Sequence, residues 1–231
     1  MTEKTTVSTS TEQSSQAPTS DGNVMALTAH EVLTLLSLNL GASATTTREL
    51  FRLPDRSSDE ELMEMGLSTL LVRGLGALDG EDFTPAGPAF GIAASLTTAV
   101  EWLELGIVAG DANYAYFLVG SPAGNLVVSV DRLSIYQFRP LAETTSLLDQ
   151  AVALTRNALT DPASPKPAVV VTRHLGSDGE NTTASIRIAE DGSAALLGAP
   201  EIEGGGLSPI ETAGSDVFEK YKAALAFQPA A

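Results

Sequence analysis

The letters Gly-Ser-x-x-x-Asn occur twice, as Gly120-Ser121-Pro122-Ala123-Gly124-Asn125 and as Gly176-Ser177-Asp178-Gly179-Glu180-Asn181. Each copy joins two runs rich in β-branched and aromatic residues, and each is followed by more strand-like sequence and then a helix candidate. Such runs favour a pleated, half-buried surface, while Gly, Ser and Asn supply the turn chemistry between them. One βββα unit used twice accounts for residues 111–231. A true duplication would relate the units by a pseudo-two-fold axis; chance matches at turns produce the same letters without one. Hairpin-linked strands pair mainly antiparallel, so the expected class is α+β, a helical N-terminal region followed by two βββα units.

Within the first unit the period-2 runs are Tyr114–Val119, Leu126–Val130 and Leu133–Phe138. A helix then fits Thr145–Leu159, with Leu147, Leu148, Val152 and Leu159 on one side. Residues 160–167 (TDPASPKP) form a Pro-rich connector. The second unit offers strands at Ala168–His174, Thr182–Ala189 and Ala194–Leu197, the last pair joined by Asp191-Gly192. Gly204-Gly205-Gly206 reads as a flexible loop. Val217, Phe218, Tyr221 and Leu225 recur at helical spacing and place a last helix within Ser215–Phe227.

Upstream, residues 1–23 are rich in Ser and Thr and carry almost nothing to bury, which reads as a disordered tail. Order starts at Thr28-Ala29-His30-Glu31, a capping box with Leu27 and Val32 as its hydrophobic staple. The helix it opens is expected to reach Leu40, with Gly41 as the stop. A second box, Ser58-Asp59-Glu60-Glu61, opens an acidic-apolar helix ending near Arg73-Gly74. Leu75 to Thr84, turning at Asp79-Gly80, reads as a small hairpin. A further helix starts near Thr84-Pro85 or after Pro88 and carries Ile92, Leu96, Val100 and Leu103, with Trp102 beside them. The implied organisation is tail 1–23, helical region 24–110 and duplicated region 111–231, the last two forming one compact unit.

Charge and composition exclude several functions. The 231 residues carry 29 Asp and Glu against 13 Lys and Arg, a net charge of −16. Nucleic-acid binding needs clustered cations to neutralise phosphates, and the few here, including Lys4, Lys166, Lys220 and Lys222, are scattered. Anionic membranes would repel the same surface. With no Cys there is no disulfide, thiol catalysis or Cys-based metal site. The N-terminus lacks the apolar core of a signal peptide, and no apolar run is long enough to span a bilayer. These features lead to the expectation of a cytoplasmic protein whose partners are neutral or basic proteins.

Candidate chemistry is sparse. The two histidines, His30 and His174, have no carboxylate and nucleophile patterned beside them. Ser121 and Ser177 lie in turns and outside any Gly-x-Ser-x-Gly elbow. Asp79-Gly80-Glu81-Asp82 and Asp178-Gly179-Glu180 offer oxygen ligands but do not extend into a calcium loop. Gly204–Gly206 leads into no Lys-Ser or Lys-Thr of a nucleotide loop. No catalytic, cofactor-binding or metal residue is assigned. Two further readings stay open: a hydrolase-like enzyme with dispersed residues around His30 or His174, and an acidic regulator with a degenerate winged helix at Ser58–Leu105. The acids Asp59, Glu60, Glu61 and Glu64 argue against that second module touching DNA.

The order of elements from about residue 27 onward resembles the EspG-type cytosolic chaperones of type VII secretion. Its carriers are the helix Asp59-Glu60-Glu61-Leu62-Met63-Glu64-Met65 and the segment Leu70-Leu71-Val72-Arg73-Gly74-Leu75-Gly76 that opens the hairpin. The resemblance implies a non-enzymatic chaperone or adaptor without cofactor, whose protein partner is a helical-hairpin secretion substrate. It assigns no binding residue. Recognition by such a protein is expected at a strand edge, a hairpin tip or an apolar helix face.

Overall fold

The computed structural model describes residues 24–54, 59–161, 167–177, 179, 181–189, 191, 193–202, 206–211 and 216–226. In chain order the elements are β1 (Met25–Thr28), α1 (Ala29–Ser37), α2 (Ala42–Leu50), α3 (Asp59–Val72), β2 (Gly76–Asp79), β3 (Asp82–Pro85) and α4 (Pro88–Thr97). There follow β4 (Glu101–Ala109), β5 (Ala112–Gly120), β6 (Leu126–Val130), β7 (Ile135–Pro140) and α5 (Leu147–Thr160). The chain closes with β8 (Ala168–Leu175), β9 (Asn181–Ile188), β10 (Ala194–Ile202), β11 (Gly206–Ile210) and α6 (Val217–Ala226). Nine strands form one antiparallel sheet in the order β1-β7-β6-β5-β4-β8-β9-β10-β11, and β2 and β3 pair separately. The α+β class and the antiparallel pairing are as the sequence implies.

Helices cover opposite faces in the two halves of the large sheet. One face meets α1, α2 and α4 through Trp102, Phe117, Val119, Val128, Tyr136 and Phe138. The other meets α5 and α6 through Leu103, Leu105, Leu118, Val169, Val171 and Ile186. Side chains alternate across a strand, so β4 feeds both cores: Trp102 points one way, Leu103 and Leu105 the other. Each large apolar side chain fully buried this way contributes roughly 1.5–3 kcal/mol. Phe51, at the end of α2, is held on the sheet by rings. It stacks on Tyr136 at 5.5 Å and lies 4.8 Å from Phe117, while the Tyr136 hydroxyl donates to its carbonyl at 2.9 Å.

The capping box forms: the Glu31 N–H donates to the Thr28 hydroxyl, and the Thr28 N–H donates to the Glu31 carboxylate at 2.8 Å. Leu27 and Val32, the staple, are both fully buried. The helix stops at Ser37, however, and Gly41 is the N-cap of α2 rather than a terminator. Gly41 cannot mark both ends, and the weak helix former ASATTTREL gives no periodic warning of α2. The hairpin turns at Gly80, whose φ is 65°, as Asp79-Gly80 implies. Helix α4 takes the later of its two starts, with Pro88 in its first turn.

The largest correction concerns residues 101–109. Val100, Trp102 and Leu103 were expected on the helix of Ile92 and Leu96; α4 instead ends at Thr97, and Glu101–Ala109 is the strand at the middle of the sheet. Apolar side chains stand on both faces of this strand, buried at Trp102 and Leu103 and exposed at Val108, so it lacks the apolar-polar alternation that announces a strand. Gly206–Ile210, the end of the expected Gly loop and beyond, is likewise a strand, and Met25–Thr28 adds another. Each βββα unit therefore carries a fourth strand, β4–β7 with α5 and β8–β11 with α6. In that frame the two Gly-Ser turns are not equivalent: one follows the second strand of its half, the other the first. They are neighbours in space instead, because the Val100 N–H donates to the Gly120 carbonyl at 2.9 Å and the Gly176 N–H donates to the Val100 carbonyl at 2.8 Å. The tail 1–23, the cap Ser58, Asp178 and Glu180, most of the Pro-rich connector, and Gly204 and Gly205 lie outside the described residues.

Candidate protein-binding surface

A sheet offers partners its edges first. In an antiparallel ladder the backbone groups of successive residues point alternately toward and away from the neighbour. On β1, Ala26 and Thr28 point away from β7, and each has one outward backbone group engaged by a side chain. The Ala26 carbonyl accepts from Arg73 Nη2 at 2.9 Å, and the Thr28 N–H donates to Glu31. At the opposite edge β11 contains Pro209, which has no N–H to offer an incoming strand. Neither edge of the large sheet is a ready template.

Among the described residues, two clefts lie against helix faces. One, of roughly 190 Å³, lies between α1, α2 and α3 and is lined by Leu33, Leu36, Leu40 and Met63, with Arg48 at its rim. The other, of roughly 560 Å³, separates the start of α4 from the ends of β6 and β7. Gly87, Pro88 and Ile92 form one wall, and Gly124 and Asn125 of the first Gly-Ser turn contribute to the other. Ser121 is spent on that turn: its hydroxyl donates to the Gly124 carbonyl at 2.8 Å and accepts from the Ala123 N–H. Ser177 is exposed in the neighbouring turn.

The third surface was not among those expected. Helices α5 and α6 pack on β8, β9 and β10 from one side. On the other side α1, α2 and α4 cover β5, β6 and β7, and the cover ends near Glu104, which pairs with Arg52 at 2.9 Å. Beyond that rim the register sets Val108, Ala168, Arg187 and Ala195 side by side, and Gly106, Val170, Ser185 and Leu197 in the next row. A Cβ added to Gly106 would meet no atom within 4 Å, so the space above the middle of this floor is open. Val108 and Val170 are 50% and 42% exposed, high for valines on inner strands. Arg187 is the only charge in these two rows, on a chain that is otherwise strongly acidic. Gly106 and Val108 fall within the region 24–110, where the sequence predicts helices and one small hairpin and no strand of the large sheet. The available signal was Val169-Val170-Val171, a β-branched run too short to say which face is open.

His174 closes the floor where the helical cover begins, between Trp102 and Asn181 on the adjoining strands. Its Nε2 is buried without a hydrogen-bond partner. Burial pushes the imidazole below the usual histidine value, opposed by a hydrogen bond with Asn181 and by the Glu104 carboxylate. His30 sits in the first turn of α1, and neither histidine lines either cleft. Among the described residues no group of three His, Asp or Glu side chains is placed to hold a metal ion, and no helix is long and apolar enough to cross a membrane.

No protein-family model and no curated protein matches this chain. The expected likeness to EspG-type chaperones is met at the level of the fold. The chain superposes on one in the solved structure of the Mycobacterium tuberculosis type VII secretion system chaperone EspG5 in complex with PE25-PPE41 dimer, with a TM-score of 0.57 and 8% sequence identity over 88% of this chain and 96% of that one.

Proposed function

We propose that this protein is a non-enzymatic cytoplasmic chaperone or adaptor that receives a helical segment of a protein partner on the open floor of β4, β8, β9 and β10. The observation that carries the reading is the empty space above Gly106 between the exposed Val108 and Val170. Small and β-branched side chains leave a shallow apolar surface that an amphipathic helix can lie across, burying its apolar stripe. The absence of acids from the two central rows lets that stripe approach without desolvating a carboxylate. Outside the floor the net charge of −16 favours a partner with neutral or basic flanks. The solved chaperone of similar fold was captured with a PE25-PPE41 dimer; by analogy of fold, a helical-hairpin secretion substrate is the partner class proposed here.

The test is capture of the partner by tagged full-length protein from native lysate, run in parallel with Val170→Asp and Gly106→Tyr. Both substitutions enter open space and leave the core alone. The reading expects each to weaken capture at least about tenfold, the effect of losing roughly 1.4 kcal/mol of contact. Val72→Asp, at an exposed position on α3, is expected to capture as the unaltered protein does. Undiminished capture by both floor variants, or no stoichiometric partner for the unaltered protein, would sink the reading.

A further inference from the structure

Glu31 of α1 and Arg73, just past the end of α3, meet at the edge of the large sheet. Arg73 Nη1 lies 2.8 Å from each Glu31 oxygen, and Glu31 is 1% exposed. The same two side chains hold two of the outward backbone groups of β1: Glu31 takes the Thr28 N–H and Arg73 gives to the Ala26 carbonyl. These are the groups that an added strand would use. The strand they cover, Met25-Ala26-Leu27-Thr28, carries no charge of its own to repel a copy of itself.

We propose that the Glu31–Arg73 pair is a strand stop, closing the β1 edge against antiparallel pairing with β1 of a second copy of this chain. A second copy is the occupant that the sheet itself favours. Two β1 edges related by a two-fold axis are self-complementary, whereas head-to-tail growth would require β11, where Pro209 interrupts the ladder. The stop is independent of the open floor, since it lies at the far edge of the sheet.

The experiment measures the mass of the full chain in solution, by light scattering after size exclusion, over a wide concentration range. Arg73→Ala alone strands a buried carboxylate and risks unfolding, so the working variant is Glu31→Leu with Arg73→Met. It is neutral at both positions, replaces the buried ion pair by apolar side chains of similar size, and releases both the Thr28 N–H and the Ala26 carbonyl. The expected result is a concentration-dependent doubling of the mass shown by the unaltered protein. Adding Ala26→Pro, which removes an outward N–H without touching the β7 ladder, is expected to restore the original mass. An unchanged mass in the double variant overturns the proposal. So does a doubling that Ala26→Pro leaves in place, or growth into ever larger species, since each puts the association somewhere other than a paired β1 edge.

Discussion

The indole N–H of Trp102 donates to the hydroxyl of Thr47 at 3.0 Å, and both residues are shut away from solvent. The hydroxyl in turn donates to the Leu96 carbonyl at 3.1 Å, one of the carbonyls that the end of α4 leaves without a helical partner. One side chain of α2 thus satisfies a strand and a second helix together, and it joins two elements, β4 and α2, that local sequence does not announce.

Thr47→Val keeps the shape and removes the hydroxyl, leaving the Trp102 N–H and the Leu96 carbonyl buried and unpaired. The expected loss is about 1–3 kcal/mol. Urea unfolding checks it: the midpoint falls while the slope stays unchanged, the sign of lost stability without altered compactness.

Two glycine-to-alanine substitutions in helices should have opposite signs. At Gly66 an added Cβ would stand 2.2 Å from the His30 carbonyl oxygen and 2.3 Å from Thr34 Oγ1, so α1 and α3 must separate. The clash outweighs the gain in helix propensity, and Gly66→Ala is expected to cost about 1–3 kcal/mol. At Gly91 on α4 the added Cβ meets nothing within 4 Å, and Gly91→Ala is expected to stabilise by about 0.5–1 kcal/mol. Thermal melts of the two variants, side by side, decide both.

Arg173 ties α6 to the sheet. Its Nε lies 2.7 Å from Glu101, its Nη1 donates to the Leu225 carbonyl near the end of α6, and both charged side chains are mostly buried. Arg173→Gln should therefore free the C-terminal turn of α6 while α5 stays docked. Amide exchange is expected to speed up in α6 and not in α5, with a global cost of about 1–3 kcal/mol. Equal speeding of both helices would contradict this local role.

His174 makes stability depend on pH. Its folded value is depressed below 6.5 by burial, so the unfolded chain takes up the proton more readily. The contribution is fully present above pH 6.5 and is lost as the pH falls from there through the folded value. Comparing unfolding midpoints of the unaltered protein and His174→Asn between neutral pH and mildly acid pH isolates it from the carboxylates. The unaltered protein should lose more stability on acidification than the variant; parallel curves would count against the buried, neutral imidazole.

Much of the fold is written locally. Thr28 and Glu31 sit three residues apart, so their box closes within one turn whatever surrounds it. The hairpins from β5 to β7 and from β8 to β10 are set by alternating β-branched runs and the turns between them, and α5 and α6 by an apolar stripe at helical spacing. The acidic charge and the lack of cysteine narrow the chemistry in the same direct way. What local pattern cannot carry is any element defined by distant partners. Glu101–Ala109 is a strand because β5 and β8 flank it, and with apolar side chains on both faces, Trp102 and Val108 on one and Leu103 and Leu105 on the other, its alternation is erased. Ala42–Leu50 is a helix because Thr47 and Phe51 are fixed by Trp102 and Tyr136, far along the chain. The open floor is the extreme case. Its emptiness is a property of where the helices stop, and only the packed molecule decides which face of Val170 is left without a neighbour.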